Sequence, residues 1–135
     1  MIQIKALDHL VIRAVDVEAM LRFYCDVLGC PVERELPPEF GLIQLRAGTA
    51  LIDIVPVDSA LGRAGGAAPG AEGRNMDHFC LRLENFDEAE IRAHLEKFGI
   101  EAGPVETRYG AEGNGPSLYL QDPDGNTVEL KGPPD

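Results

Sequence analysis

Two stretches decide how this chain is read: Asp8-His9-Leu10-Val11-Ile12-Arg13 and Asp77-His78-Phe79-Cys80-Leu81-Arg82. Both spell D-H-x-x-x-R, with the histidines at 9 and 78. An internal repeat at about half the chain length means two copies of one supersecondary unit. The surroundings repeat as well. Each stretch precedes a helical pattern that stops at a glycine, Gly29 or Gly99. Each half then ends in a short strand that carries an acid, Leu51-Ile52-Asp53-Ile54 or Thr127-Val128-Glu129-Leu130.

Helix one is expected over about 17–28. Val17, Met20, Leu21, Tyr24 and Leu28 share a face there, and Asp16 is placed to cap it. Helix two is expected over about 87–98, with Ile91, Leu95 and Phe98 inward and an Asn85/Glu88 capping box. Gly29 and Gly99 provide the left-handed residue that closes each. Short alternating strands follow, set off by Pro37-Pro38, Ala47-Gly48 and Asp122-Pro123-Asp124-Gly125. The fold class is therefore α+β. One domain, 1–135, is built from two tandem βαβββ modules, 5–57 and 75–131. Their mixed sheets curve around a cup, with the helices on the outer face. Residues 58–74 are poor in large apolar groups and read as a flexible linker. The Gly-rich segment from Arg108 to Gly115 is either a mobile loop over a site or a plain surface hairpin.

Strand alternation sorts the side chains. His9, Val11 and Arg13 share one face, and His78, Cys80 and Arg82 share its counterpart. Asp53 opposes Ile52 and Ile54; Glu129 opposes Val128 and Leu130; Ser117 and Tyr119 oppose Leu118 and Leu120. One face of every strand is apolar, and the other carries His9, Asp53, His78 and Glu129. Two imidazoles and two carboxylates suit one divalent ion such as Ni, Zn, Mn, Co or Fe(II). His94, without a counterpart, reads as a solvated helix residue.

Composition narrows the function classes. A net charge of -11 from 23 acids and 12 bases opposes nucleic acid and anionic membranes. No apolar run nears the ~20 residues of a bilayer span. The N-terminal residues MIQIKALDHL lack a signal-peptide core, so a cytoplasmic location is expected. Cys25, Cys30 and Cys80 are odd in number and include no C-x-x-C pair. They read as small apolar core residues rather than as a disulfide framework or a thiolate zinc site.

With Phe23-Tyr24, Val27-Leu28-Gly29 and Asp122-Pro123-Asp124-Gly125-Asn126 leading to Glu129, nearly the whole chain resembles the vicinal oxygen chelate superfamily. That group includes glyoxalase I, fosfomycin-modifying thiol transferases, extradiol dioxygenases, methylmalonyl-CoA epimerase and bleomycin-binding proteins. The resemblance implies His9, His78 and Glu129 as metal ligands. Asp53 stands where glyoxalase I has a glutamate and is one methylene shorter. It further implies Arg13 and Arg74 as holders of substrate carboxylates, and Ser117 and Tyr119 in a substrate-contacting segment, Gly115 to Leu120. Three departures accompany it: Val57 replaces an asparagine of some glyoxalases, Val11 replaces a threonine of the transferases, and their C-terminal substrate arginine has no counterpart. The activity implied first is that of a glyoxalase I-like lyase or isomerase. The metal polarises vicinal oxygens of a small substrate, a glutathione or other thiol conjugate included, while Glu129 or Asp53 moves a proton. The resemblance also admits thiol transfer, dioxygen chemistry and drug binding without catalysis. A homodimer is implied, since small members of the family pair modules from two chains.

Overall fold

A computed structural model describes residues 1–135. The chain divides into two compact units, Met1–Asn75 and Met76–Asp135. Each holds one open, mixed, four-stranded sheet. In the first unit the order is β1 (His9–Ala14), β4 (Ala50–Pro56), β3 (Ile43–Ala47), β2 (Val32–Glu35); in the second it is β5 (Phe79–Arg82), β8 (Thr127–Lys131), β7 (Gly113–Gln121), β6 (Glu106–Gly110). The first and last strands of each unit pair in parallel, and the other neighbours pair antiparallel. The two units are thus strand-for-strand copies, as the D-H-x-x-x-R repeat requires.

Register carries the repeat down to single residues. Asp53 lies opposite Val11 on one side and Gln44 on the other. Glu129 lies opposite Cys80 and Tyr119 in the same way. In both units the carboxylate therefore faces the residue two positions after the histidine. Register in β7–β8 is set by the Asp122–Asn126 turn. Asp122 Oδ1 accepts from the backbone of Asp124 at 3.0 Å and of Asn126 at 2.9 Å, while its Oδ2 accepts from the Asn126 amide at 2.8 Å. Gly125 takes the left-handed conformation this turn needs, at φ 86°.

The helices depart from a plain 3.6-residue period. Asp16 caps α1 (Val17–Leu21) through a 3.1 Å bond from Ala19 N–H. The chain then runs on as a π-helix over Arg22–Val27, with Leu28 N–H bonded to Phe23 O at 3.0 Å. The wider turn rotates the inward face. Phe23, Tyr24 and Val27 are buried beside Met20, while Leu21 and Leu28, expected inside, are only half-buried. With Ile12, Leu45, Ile52 and Ile54 they form the core of the first unit, each contributing roughly 1.5–3 kcal/mol by leaving water. In the second unit α3 covers Glu88–Glu96 and is capped by Asp87, whose side chain accepts from Glu90 N–H at 3.0 Å. The expected cap, Asn85, sits two residues too early. Leu95 is buried with Phe79, Leu118, Leu120, Val128 and Leu130, but Phe98 lies past the helix end and is exposed. Gly29 and Gly99 have φ of 75° and 69°, the left-handed stops expected of them.

The stretch read as linker has structure of its own. Ser59 caps a short helix, α2 (Ala60–Ala64), which packs by small size rather than by apolar bulk. A Cβ on Gly62 would lie 1.9 Å from Pro56 O. Arg13 donates to the carbonyls of Gly62 and Gly66 at 3.2 Å each, and to that of Ala67. Asn75 covers the open edge of β1: its amide oxygen accepts from Arg13 N–H at 3.1 Å and its nitrogen donates to Arg13 O at 3.0 Å. Arg108 to Gly115 forms the β6–β7 hairpin. No helix is long and apolar enough to cross a membrane.

Candidate functional site

His78 sits one residue before β5 and touches two carboxylates. Its Nδ1 is 2.5 Å from Asp77 Oδ2, and its Nε2 is 3.4 Å from Glu129 Oε2. With the proton on Nδ1, Asp77 accepts it and leaves the Nε2 lone pair free. A carboxylate behind an imidazole is the usual support of a metal-binding histidine. The Nε2–Oε2 distance exceeds the common N–H···O range of 2.7–3.2 Å. It does match two ligands of one ion, because donors about 2.1 Å from a tetrahedral metal stand about 3.4 Å apart. The edge of the His78 ring meets Tyr119, with centroids 5.4 Å apart.

The first unit repeats this arrangement. His9 Nδ1 is 2.7 Å from Asp8 Oδ2. The Asp8 hydrogen bond, with help from the Asp53 charge, raises the His9 pKa above its ordinary 6.5. Asp53 is buried, and Gln44 Nε2 donates to its two oxygens at 3.2 and 3.3 Å, which fixes the carboxylate plane. Each unit thus offers one histidine and one buried carboxylate. Within either unit taken by itself, no three His, Cys, Asp or Glu side chains gather closely enough to hold a metal ion.

The remaining expected residues take varied places. Tyr119 is half-buried, and the Arg108 guanidinium lies 4.3 Å over its ring. Ser117 is fully buried, and its Oγ accepts from Arg108 at 2.8 Å. Arg13 has its guanidinium engaged by the carbonyls of residues 62, 66 and 67, and Arg74 is exposed just before the unit boundary. Cys80 lies on the strand face it shares with His78, as parity has it, but it is exposed rather than part of the core. Neighbouring atoms still crowd its sulfur. That desolvation, the Glu129 charge and a hydrogen bond to Glu129 push its pKa up to about 11, against a smaller opposing effect of Lys131.

Residue reading from sequence overlooked Asp8 and Asp77, although both stand in the repeated D-H pair. It also overlooked Gln44 and Lys131, whose strand parity puts them on the same face as Asp53 and Glu129.

The model of the Glyoxalase/Bleomycin resistance protein/Dioxygenase superfamily matches residues 6–130. The chain belongs to that superfamily. It is 28% identical over 131 residues to virulence protein STM3117 of Salmonella typhimurium, covering 94% of this chain and 83% of that protein. It is 30% identical over 131 residues to the mitochondrial methylmalonyl-CoA epimerase of Mus musculus, covering 93% and 71%. Among solved structures it resembles lactoylglutathione lyase from Agrobacterium tumefaciens, with TM-score 0.64, 25% identity and coverage of 94% and 92%. The tandem βαβββ fold of this superfamily member is shared with that lyase and with STM3117, whose structure matches with TM-score 0.77.

Proposed function

We propose that this protein is a metal-dependent lyase or isomerase of the glyoxalase I kind, acting on a small substrate with vicinal oxygens, thiol conjugates included. In this reading His9, His78 and Glu129 hold one divalent ion (Ni, Zn, Mn, Co or Fe(II)), and Asp53 is the fourth, shorter-reaching ligand. Each unit carries half of that set, and a homodimer brings the halves of two chains together. The ion, when bound, polarises the substrate oxygens. The chain's own groups orient and move the proton. Asp8 and Asp77 hold the imidazoles, Gln44 holds Asp53, and Glu129 or Asp53 carries the proton.

The observation that carries the reading is the 3.4 Å separation of His78 Nε2 and Glu129 Oε2, with Asp77 behind the imidazole. Two relatives of modest identity, one named an epimerase and one a lyase, support proton transfer over dioxygen chemistry.

The test is elemental analysis of wild type and His78→Ala, purified alike and soaked in each of the five metals. Near-stoichiometric ion in the wild type and loss in His78→Ala is expected, because the change strips a direct ligand. Equal, sub-stoichiometric metal in both would remove the enzyme reading and leave a metal-free binding pocket. Loaded protein is then assayed in deuterated water against thiol conjugates of 2-oxoaldehydes and α-substituted thioesters. Turnover with solvent deuterium in the product is the expected signature of a proton-moving carboxylate.

A further inference from the structure

In the second unit a cavity of about 350 Å³ opens over His78, Cys80 and Glu129 and is bounded by the β6–β7 turn. Lys131 also lines it, two residues beyond Glu129 on the same strand face. Lys131 is only 6% exposed, and its ammonium makes no hydrogen bond and no ion pair. That is unusual, since a lysine this deeply placed is nearly always paired. The nearby charges are engaged elsewhere. Glu112 is held by Arg82 at 2.7 Å, and Glu129 lies against His78. Nor is the ammonium wholly sealed from solvent, because no fully occluded side-chain nitrogen or oxygen lacks a partner. It therefore faces the cavity.

The backbone makes room for it. A Cβ on Gly110 would lie 2.9 Å from Lys131 Cε, and one on Gly115 would lie 2.8 Å from Nζ and 2.6 Å from Pro133 O. Glycines at both places leave room for the lysine side chain to pack beside the hairpin. Meanwhile Arg13, the cation expected to meet a substrate carboxylate, is engaged by the chain between the units' strands.

We propose that Lys131 is the anion-binding residue of this cavity, and that its ligand carries a carboxylate within a few bonds of the oxygens that meet His78 and Glu129. The proposal rests on the site reading above and narrows its substrate class to small acids with a neighbouring oxygen. Residues two apart on a strand lie roughly 6.6 Å apart at Cα. A two- or three-carbon acid spans the interval between an ammonium and a ligand pair so placed. A charged donor–acceptor bond contributes about 1.5–3 kcal/mol, so the acid should bind at least about tenfold more tightly than a neutral analogue.

The experiment compares glycolate with hydroxyacetone, which have the same vicinal oxygens but differ in charge. Binding to full-length protein is followed calorimetrically, and by the 13Cε and 15Nζ signals of Lys131, with and without nickel. Wild type and Lys131→Arg should prefer glycolate by about tenfold or more, and the Lys131 signals should shift with glycolate alone. Lys131→Met keeps the apolar stem, and it should lose the preference while retaining the wild-type nickel affinity and melting temperature. An undiminished preference in Lys131→Met, or no glycolate preference in the wild type, overturns the proposal. If Lys131→Met fails to fold, the Lys131 signals of the wild type decide alone. A preference that persists without nickel, in a protein that binds no nickel, would refute the metal reading and leave this one standing.

Discussion

Asp77 stands behind the His78 imidazole although its own side chain is exposed. Its carboxylate, 2.5 Å from His78 Nδ1, selects the tautomer that leaves Nε2 open. Asp77→Ala should therefore lower nickel affinity by about 10–100-fold, measured calorimetrically, with the melting temperature nearly unchanged because the side chain is exposed. Unchanged affinity would mean that the imidazole is positioned by its strand alone. At His9 the same contact acts through protons. The Asp8 hydrogen bond and the Asp53 charge raise the His9 pKa. A raised folded-state value means stability fully present below about 6.5, the unfolded value, and lost as pH rises through the higher folded one. Metal binding has the opposite sign, because the ion needs neutral imidazole. Nickel affinity should fall as pH drops through the raised His9 pKa, and Asp8→Ala should move that fall to lower pH. A Kd profile that is identical in the two proteins would remove Asp8 from the site.

Among the elements, the Asp122–Asn126 turn positions the strand that carries Glu129. One carboxylate satisfies three donors and aligns β7 with β8, so that Tyr119 faces Glu129. Asp122 and Asn126 are both buried, and removing the acceptor strands those donors. Asp122→Ala should cost about 1–3 kcal/mol in urea unfolding and should weaken metal binding as well. Full stability would show that the β7–β8 ladder alone sets the register. The first unit has no such turn. There a two-residue hairpin at Gly48-Thr49, with Gly48 at φ 59°, joins β3 to β4 and places Gln44 beside Asp53.

For the whole molecule, the decisive property in the proposed metal reading is that each unit carries one histidine and one buried carboxylate. In that reading a half-site would bind an ion weakly and two halves would bind it well. Met1, Ile2, Ile4 and Leu7 are also each nearly 90% exposed or more, a length of apolar chain that association would cover. Sedimentation at micromolar concentration should therefore give a homodimer, tightened by nickel through mass action. A monomer whose sedimentation is unmoved by stoichiometric nickel would break the link between assembly and metal.

What the sequence determined by itself is whatever repeats or acts locally. The D-H-x-x-x-R pair announced two equivalent units. Strand parity put His9 with Asp53 on one face of the first sheet, and His78 with Glu129 on the matching face of the second, because neighbouring side chains must alternate. Asp16, Gly29 and Gly99 marked helix ends through contacts spanning a few residues. Parity also held the signal for Lys131, but only the folded chain shows that its ammonium has no partner. Tertiary structure alone decided that Arg13 would meet carbonyls some fifty residues away, that Gln44 would hold Asp53, and that helix one would widen into a π-turn. Those outcomes depend on which distant groups arrive at the same place. Periodicity sets the direction in which a side chain points, whereas its partner is set by the packing of the rest of the chain.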